Sequence, residues 1–168
     1  MVMMGWDQNM DSIDLYLTEL EEVIHKLSRN EVRAVADALM ENWRARRQVF
    51  IIGNGGSAAA ASHMMNDLNK FTILEGKHRF RAIALTDNVP LMTAVSNDLS
   101  YADVFVEPLR NLLQPGDTVI AISASGNSPN IVKAVEYARI SRSRTGLNMA
   151  YLFPAKETSN HAQAQLQA

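Results

Sequence analysis

The feature that most constrains the fold is a recurring unit: a short apolar run, a turn of small polar residues, and a helix-like stretch. Its apolar runs are "QVFII" (48–52), "FRAIAL" (80–85) and "DTVIAIS" (117–123). Runs without strict polar alternation are typical of strands buried on both faces, and their interleaving with helices favours parallel strands. We therefore predict an α/β fold with a doubly wound parallel sheet, in which "MAYLF" (149–153) is a candidate fourth strand.

The segment before the first strand has helical periodicity. Apolar residues recur at helical spacing in a stripe formed by Ile13, Leu17, Leu20, Ile24 and Leu27. A second helix follows Asn30, a residue type that favours the N-cap position. Residues 11–46 are therefore predicted to form a helical hairpin. Its first stripe fits either the chain's own sheet or a neighbouring subunit, and both alternatives stay open.

The composition excludes several classes of protein. The chain has 168 residues, a formal net charge of −2 and no cysteine. This length fits one domain, the charge gives no basis for direct nucleic-acid binding, and the lack of cysteine excludes disulfides, thiolate zinc sites and thiol nucleophiles. The chain has no apolar run of about 20 residues and no signal-peptide pattern, so a cytoplasmic protein without membrane contact is expected.

Two turns at the predicted carboxyl ends of strands have the composition of an anion site. "GNGGS" (53–57) follows the first strand, and "SASGNSPN" (123–130) follows the third. Glycines allow close backbone approach, and a helix N-terminus such as the one marked by Ser128 and Pro129 favours an anion. Either turn alone is equally well explained as a tight strand-to-helix connection. The two together predict a neutral phosphate site at the edge where such sheets bind ligands.

The familiar nucleotide motifs do not fit these turns. "GNGGSAA" lacks the lysine of a Walker loop, and Ala58 stands where a dinucleotide fingerprint has its third glycine. Asp87 lies too far along the chain to be the acidic residue of that fingerprint. No nucleotide cofactor is therefore predicted.

A histidine and a carboxylate follow the first turn on the same predicted helix. His63 and Asp67 are four residues apart and share one helix face, so they could present an imidazole and a carboxylate to one metal ion or one substrate carbon. Pairs of this kind are more often ordinary surface contacts. The short distance from the phosphate turn favours a functional site.

Four stretches, in their order and spacing, resemble the sugar isomerase (SIS) domain family: "GNGGSAAAASH", "AIALTDN", "AVSNDLSYADVF" and "AISASGNSPNIVKAVEYAR". The likeness covers residues from about 10 to 139 and is greatest to the members that isomerise sedoheptulose 7-phosphate. It implies a three-layer sandwich, with a phosphosugar-binding SIS domain over residues 1–139. It also implies a homotetramer with sites at subunit interfaces.

The resemblance also implies roles for individual residues. His63 matches a metal ligand of the zinc-containing members, and Asp67 stands where they carry a glutamate that is both ligand and catalytic base. Zinc is thus the implied cofactor, with His63 and Asp67 as its ligands and as the catalytic pair. The residues that match the family's substrate-binding loops are Asn54, Gly55, Gly56, Ser57, Thr86, Asp87, Ser123, Ala124, Ser125 and Ser128.

The chain departs from the family at Asp67 and after Arg139. Aspartate is one methylene shorter than glutamate, and an error in reach of about 1 Å can lower a rate on the order of a hundredfold. Residues 140–168 form a divergent tail that lacks the family's glycine-rich turn, last strand and final helix, so the tail reads like a truncation or an altered reading frame. His161, in this tail, is the candidate replacement for the family's C-terminal histidine.

Two functions follow from these observations. The first is an aldose–ketose isomerase of sedoheptulose 7-phosphate serving heptose biosynthesis, impaired by the two departures. The alternative is a non-catalytic SIS module that binds a phosphosugar or a protein partner such as a replication initiator, a branch that "TDNV" and "SND" resemble. His63 favours the enzyme, whereas Asp67 and the tail favour the module.

Overall fold

The computed structural model of the chain describes residues 10–145 and 149–153, with side chains over residues 12–140. The helices are α1 (Met10–Lys26), α2 (Arg29–Arg44), α3 (Gly56–Lys70), α4 (Val89–Asp98), α5 (Val106–Leu112) and α6 (Pro129–Thr145). The strands are β1 (Gln48–Gly53), β2 (Arg81–Ala84), β3 (Thr118–Ile122) and β4 (Met149–Phe153). Two 3-10 turns, Leu85–Asp87 and Tyr101–Asp103, flank α4.

The four strands form one parallel sheet in the order β2-β1-β3-β4. All four predicted strands are present, including "MAYLF". Strand β1 lies between β2 and β3, with Gln48 paired to Arg81 at one end and Gly53 paired to Ile122 at the other. The carboxyl ends of β1 and β3 therefore meet at one edge of the sheet.

Helices cover both faces of the sheet, which confirms the predicted three-layer sandwich. Successive residues of a strand point to opposite faces, and Phe50 and Ile51 accordingly belong to two different clusters of core residues. The cluster around Phe50 packs against α4, α5 and α6. Its buried members include Ile52, Val95, Phe105, Leu109, Val119, Ile131 and Ala134. The cluster around Ile51 packs against α3 and the later part of α2, through residues such as Ala61, Met64, Leu68 and Leu39.

Local capping signals explain where three of the helices begin. Proline occupies the first position of α6, as predicted, and the Asn88 side chain accepts a hydrogen bond from the Leu91 N–H (3.1 Å) at the start of α4. The predicted cap of α2 was wrong. The helix begins at Arg29, and the Ser28 hydroxyl, not Asn30, accepts the Glu31 N–H (3.3 Å). Both residue types make good caps, so propensity alone does not choose between them.

The chain divides into two compact units, Met1–Ala36 and Asp37–Ala168. The described part of the first unit consists of α1 and the beginning of α2, which confirms helices in the predicted hairpin. The second unit contains the sheet. The domain boundary predicted at Arg139 stays a prediction, and α6 continues past that position to Thr145. Among the described residues, no helix has the length and apolar character needed to cross a membrane.

Candidate functional site

The two turns predicted to bind an anion begin side by side. Because Gly53 and Ile122 are paired at the ends of adjacent strands, residues 54–57 and 123–128 leave the sheet at the same edge. Each turn leads into a helix, α3 or α6. We call these segments the first loop (residues 54–57) and the second loop (residues 123–128).

Three glycines precede or form the first loop, and each has a different physical reason. A Cβ at Gly53 would lie 2.5 Å from the Ser57 carbonyl oxygen, so glycine lets α3 start close against β1. Gly55 has φ +54°, a conformation that glycine adopts readily. Gly56 has neither constraint: its φ is not positive, and a Cβ there would meet no described atom within 4 Å. Packing within the described chain therefore does not require glycine at 56.

The hydrogen bonds of the first loop leave its first amides available to a ligand. The N–H of Ser57 donates to the Asn54 carbonyl (2.9 Å), and the N–H of Ala58 donates to the Asn54 and Gly55 carbonyls (3.3 and 3.0 Å). Within the described residues, the N–H groups of Gly55 and Gly56 have no such partner. Unpaired amides at a helix N-terminus are a natural anion site.

The second loop is folded by its own serines. The Ser123 hydroxyl is buried and accepts the Gly126 N–H (3.1 Å), while the Ser125 hydroxyl accepts the Asn127 N–H (3.3 Å). A hydroxyl that accepts a hydrogen bond can still donate its proton to an anion. The exposed Ala124 lies between the two serines, and the Ser128 carbonyl accepts the first N–H groups of α6.

Asn130 and Tyr101, which the sequence analysis missed, both bond to the side chain of Asn54. Asn54 and Asn130 exchange a reciprocal pair of side-chain hydrogen bonds (3.0 and 2.8 Å), and the Tyr101 hydroxyl donates to Asn54 Oδ1 (3.1 Å). Asn130 is buried, with 1% of its surface exposed. Asn130 and Tyr101 lie in stretches quoted in the sequence analysis, but nothing in the local sequence indicates that their side chains contact Asn54.

Thr86 and Asp87 are held against α3 through Ser62, another residue not predicted. The single proton of the Ser62 hydroxyl has two acceptors within reach, Asp87 Oδ1 and the Ala58 carbonyl (3.2 Å). The Ser62 oxygen also lies 3.4 Å from Thr86 Oγ1. Thr86 and Asp87, which were predicted to bind the substrate, thus contact the helix that starts at the first loop. Thr86 and Asp87 follow directly after the carboxyl end of β2, in the 3-10 turn Leu85–Asp87.

His63 and Asp67 share one face of α3, as predicted. His63 Nε2 lies 3.2 Å from Asp67 Oδ2, and the two side chains are 76% and 42% exposed. The other carboxylate oxygen, Asp67 Oδ1, is buried and has no hydrogen-bond partner in the described chain. The pair lies on a groove along α3 that Ala59, Met64 and Phe71 also line.

The pair lies apart from the loop contacts along the helix. His63 is six residues after Ser57, which is about 9 Å along an α-helix. It also points about 100° away from Ser62, the residue that contacts Asp87. The structure therefore brings the first and second loops together, and places Thr86–Asp87 and His63–Asp67 on different flanks of α3.

The fit to zinc was tested on these donors. A zinc ion takes at least three protein ligands, and the described residues contain no group of three candidate side chains. His63 and Asp67 therefore fit two of the ligands of a zinc ion, and the unpartnered Asp67 Oδ1 has a lone pair to offer. They do not form a complete zinc site by themselves.

Comparison with known proteins defines the class. A model of the SIS domain family matches residues 15–144, and the chain belongs to that family. Membership in this family agrees with the resemblance found in the sequence, and with the parallel sandwich in which the first and second loops begin side by side.

Two curated relatives carry the name phosphoheptose isomerase. A phosphoheptose isomerase from Chlorobaculum parvum is 35% identical over 126 residues, which is 74% of this chain and 60% of the relative. One from Mycobacterium tuberculosis is 43% identical over 107 residues, covering 64% of this chain and 54% of the relative. The chain therefore spans between one half and two thirds of the length of these curated relatives.

Solved structures give the same fold. Phosphoheptose isomerase GmhA from Neisseria gonorrhoeae matches with a TM-score of 0.76 and 25% identity, over 93% of this chain and 79% of that one. A phosphoheptose isomerase from Francisella tularensis matches with a TM-score of 0.78 and 25% identity, over 93% and 80%. The predicted SIS-type α/β fold is confirmed.

Proposed function

We propose that this chain binds a phosphorylated sugar at the first and second loops and isomerises sedoheptulose 7-phosphate between its aldose and ketose forms. The observation that carries the proposal is Gly56: nothing in the described chain requires glycine there, yet it exposes an unpaired amide at the start of α3 beside the serine loop. A methyl group at this position would stand where an anion approaches the helix.

The phosphate would be held by neutral donors. The amides of Gly55 and Gly56 would bind it from one side. The Ser57 hydroxyl would bind it from the same side, and the hydroxyls of Ser123, Ser125 and Ser128 would bind it from the other. The dipole of α3 adds attraction for a negative group near its N-terminus. No lysine or arginine belongs to either loop.

Asp67 is the proposed base. Isomerisation moves a proton between adjacent carbons through an enediol, which needs a base at carbon and an acid at oxygen. Asp67 has a carboxylate on the groove along α3, and His63 at 3.2 Å can orient it. The acid is not assigned to any of the described residues. His161, the sequence candidate, lies outside them.

The shorter carboxylate is the reason to expect an impaired enzyme. One missing methylene moves the base by about 1 Å, and general acid–base groups contribute roughly 10²–10⁴ in rate. One observation favours the alternative of a non-catalytic module for a phosphosugar or a protein partner: one Asp67 oxygen is buried and the other lies against His63.

The family resemblance is the basis for proposing three further properties: a bound zinc ion, a homotetramer and a cytoplasmic location. Zinc would be held by His63 and Asp67 with donors from outside the described residues, and it would polarise the substrate's oxygens. The chain would assemble as a homotetramer, with neighbouring subunits completing each site. The location would be the cytoplasm.

Isothermal titration calorimetry with sedoheptulose 7-phosphate tests the binding step. The wild-type chain should bind, and Gly56→Ala should weaken binding tenfold or more because its methyl group obstructs the helix start. The melting temperature should stay equal or rise, since alanine is the better helix former. A wild-type chain that does not bind the sugar phosphate, or a Gly56→Ala variant that binds equally well, would contradict the proposal.

A further inference from the structure

We propose that Asn54, Asn130 and Tyr101 form a polar clamp that holds the two loops at the separation a phosphate group needs, with Asn130 as a positioning residue. The inference deepens the proposed phosphosugar binding and rests on it for the ligand. It assigns the Asn54 side-chain oxygen to the protein's own loops and not to the sugar.

The clamp joins one residue from each side of the site. Asn54 opens the first loop, and Asn130 is the second residue of α6, directly after the second loop. Asn54 Nδ2 donates to Asn130 Oδ1 (3.0 Å) while Asn130 Nδ2 donates to Asn54 Oδ1 (2.8 Å). The residues are 76 positions apart in sequence, so this pair is a direct tertiary link between the loops.

One backbone donor sets the orientation of both amides. The Ile131 N–H donates to Asn130 Oδ1 (3.0 Å) and also to the Ser128 carbonyl (2.9 Å). Because a backbone N–H can only donate, the oxygen of Asn130 must face it, and the reciprocal pair then fixes the Asn54 amide. Tyr101 completes the arrangement by donating to Asn54 Oδ1 (3.1 Å).

The two amide oxygens of the clamp accept all their hydrogen bonds from within the protein. Asn54 Oδ1 accepts from Asn130 and Tyr101, and Asn130 Oδ1 accepts from Asn54 and Ile131. An amide oxygen has two lone pairs, so neither oxygen is left for a sugar hydroxyl. A predicted substrate-binding role of Asn54 would then act through its backbone or through the second N–H of its Nδ2.

Burial makes the clamp costly to break. Asn130 is 1% exposed and precedes Ile131, a member of the larger core. A buried polar group that loses its partner bears its full desolvation cost, so the paired state is strongly favoured. The loops it joins carry the Gly55 and Gly56 amides and the serine hydroxyls. Binding sites lose affinity when such donors shift by about 1 Å.

Hydrogen exchange on the unliganded chain tests the clamp without any ligand. Asn130→Leu, which keeps the size but removes the side-chain amide, should speed exchange at the hydrogen-bonded loop N–H groups of Ser57, Gly126 and Asn127 at least tenfold. Tyr101→Phe removes one hydrogen bond from a side chain that is 53% exposed, so it should fold normally and speed exchange at the Ser57 N–H by twofold or more. Tyr137→Phe on α6 is the matched control. Unchanged loop exchange in both clamp variants would overturn the proposal.

A pH profile separates positioning from a general loss of packing. In Asn130→Asp, the ionised carboxylate would repel Asn54 Oδ1, whereas the protonated acid would donate to it as the amide does. Binding of inorganic phosphate, measured by calorimetry, should be tenfold or more weaker than wild type at pH 8. The difference should narrow to about threefold at pH 5, because burial raises a carboxyl pKa.

Asn127→Asp is the control for charge, since Asn127 is exposed in the second loop and lies outside the clamp. If both aspartate variants have the same pH profile, the clamp proposal fails. If the wild type binds neither phosphate nor sedoheptulose 7-phosphate while the clamp variants still loosen the loops, the proposed function fails and the clamp stands. If the wild type binds and the clamp variants change neither exchange nor affinity, the clamp alone is wrong.

Discussion

At the scale of single residues, the proposed catalysis depends on two side chains of α3. Asp67 combines a buried, unpartnered oxygen with a second oxygen 3.2 Å from His63. A base needs an accessible lone pair as well as reach, and in this arrangement Oδ1 is enclosed by the protein while Oδ2 lies against His63. The reach depends on one methylene group, which can be changed without altering the charge.

Asp67→Glu should raise the turnover of sedoheptulose 7-phosphate about tenfold or more, because it restores the reach of the family's glutamate to the substrate carbon. A coupled assay of aldose formation measures the change. Asp98→Glu, an equal substitution at the exposed end of α4, should leave turnover unchanged. If Asp67→Glu has no effect and His63→Ala has none, both residues are structural and the module alternative is favoured.

Ser125→Ala should weaken sugar-phosphate binding by about 1–2 kcal/mol, the size expected for one hydrogen bond to a charged group. The Ser125 hydroxyl is exposed and accepts only the Asn127 N–H, so the fold should tolerate its loss. Calorimetry measures the affinity, and Ser96→Ala on α4 is the matched control. Equal affinities for wild type and Ser125→Ala would remove this hydroxyl from the site.

Between the elements, an ion pair ties the 3-10 turn that carries Tyr101 to α6. Asp103 accepts hydrogen bonds from Lys133 and from the Ser100 hydroxyl (2.6 Å). The Lys133 hydrogen bond, followed by the one from Ser100, lowers the pKa of Asp103 below its ordinary value of 3.8. The turn that presents Tyr101 to Asn54 is thus fixed to the same helix as Asn130.

Lys133→Met should raise the pKa of Asp103 toward its ordinary value, as measured by NMR titration of the carboxyl carbon. A carboxyl whose pKa is lowered in the folded state stabilises the protein above its unfolded pKa, and this contribution is lost as the pH falls through the folded pKa. The stability difference between wild type and Lys133→Met should therefore be present at pH 7 and disappear below the ordinary value of 3.8. An unshifted Asp103 in the wild type would contradict this.

At the scale of the whole molecule, α1 is the element whose partner matters most. Its 17 residues carry the apolar stripe that begins at Ile13, and a stripe of that length can support a helix–helix interface between subunits. The proposed homotetramer would use this face, and a site completed by neighbours would then depend on assembly.

Leu17→Lys should shift the assembly toward monomers, because it places a charge in the apolar stripe of α1. Light scattering at micromolar concentration measures the mass. Glu19→Lys, on the opposite face of the same helix, is the matched control and should keep the wild-type mass. A monomeric wild type would contradict the interface proposal, and turnover by that monomer would contradict a site completed by neighbouring subunits.

The sequence by itself determined the elements and their layering. The strands and the start of α6 were predicted because their signals are local: apolar runs buried on both faces, and Ser128–Pro129 at a helix start. The parallel sheet predicted that both loops leave the sheet at the same edge, whereas the pairing of β1 with β3 that sets them side by side was seen only in the structure. The facing of His63 and Asp67 followed from helical spacing.

Only the tertiary structure decided which polar side chains meet. The Asn54–Asn130 pair, the Tyr101 hydroxyl that joins it, and the Ser62 contact to Asp87 connect residues between 25 and 76 positions apart. Asparagine and serine occur in turns and caps for local reasons, so the residue type alone does not predict a hydrogen bond to a residue distant in sequence. A buried amide forms its bonds wherever packing brings a partner within about 3 Å, and that distance is set by how the helices lie on the sheet.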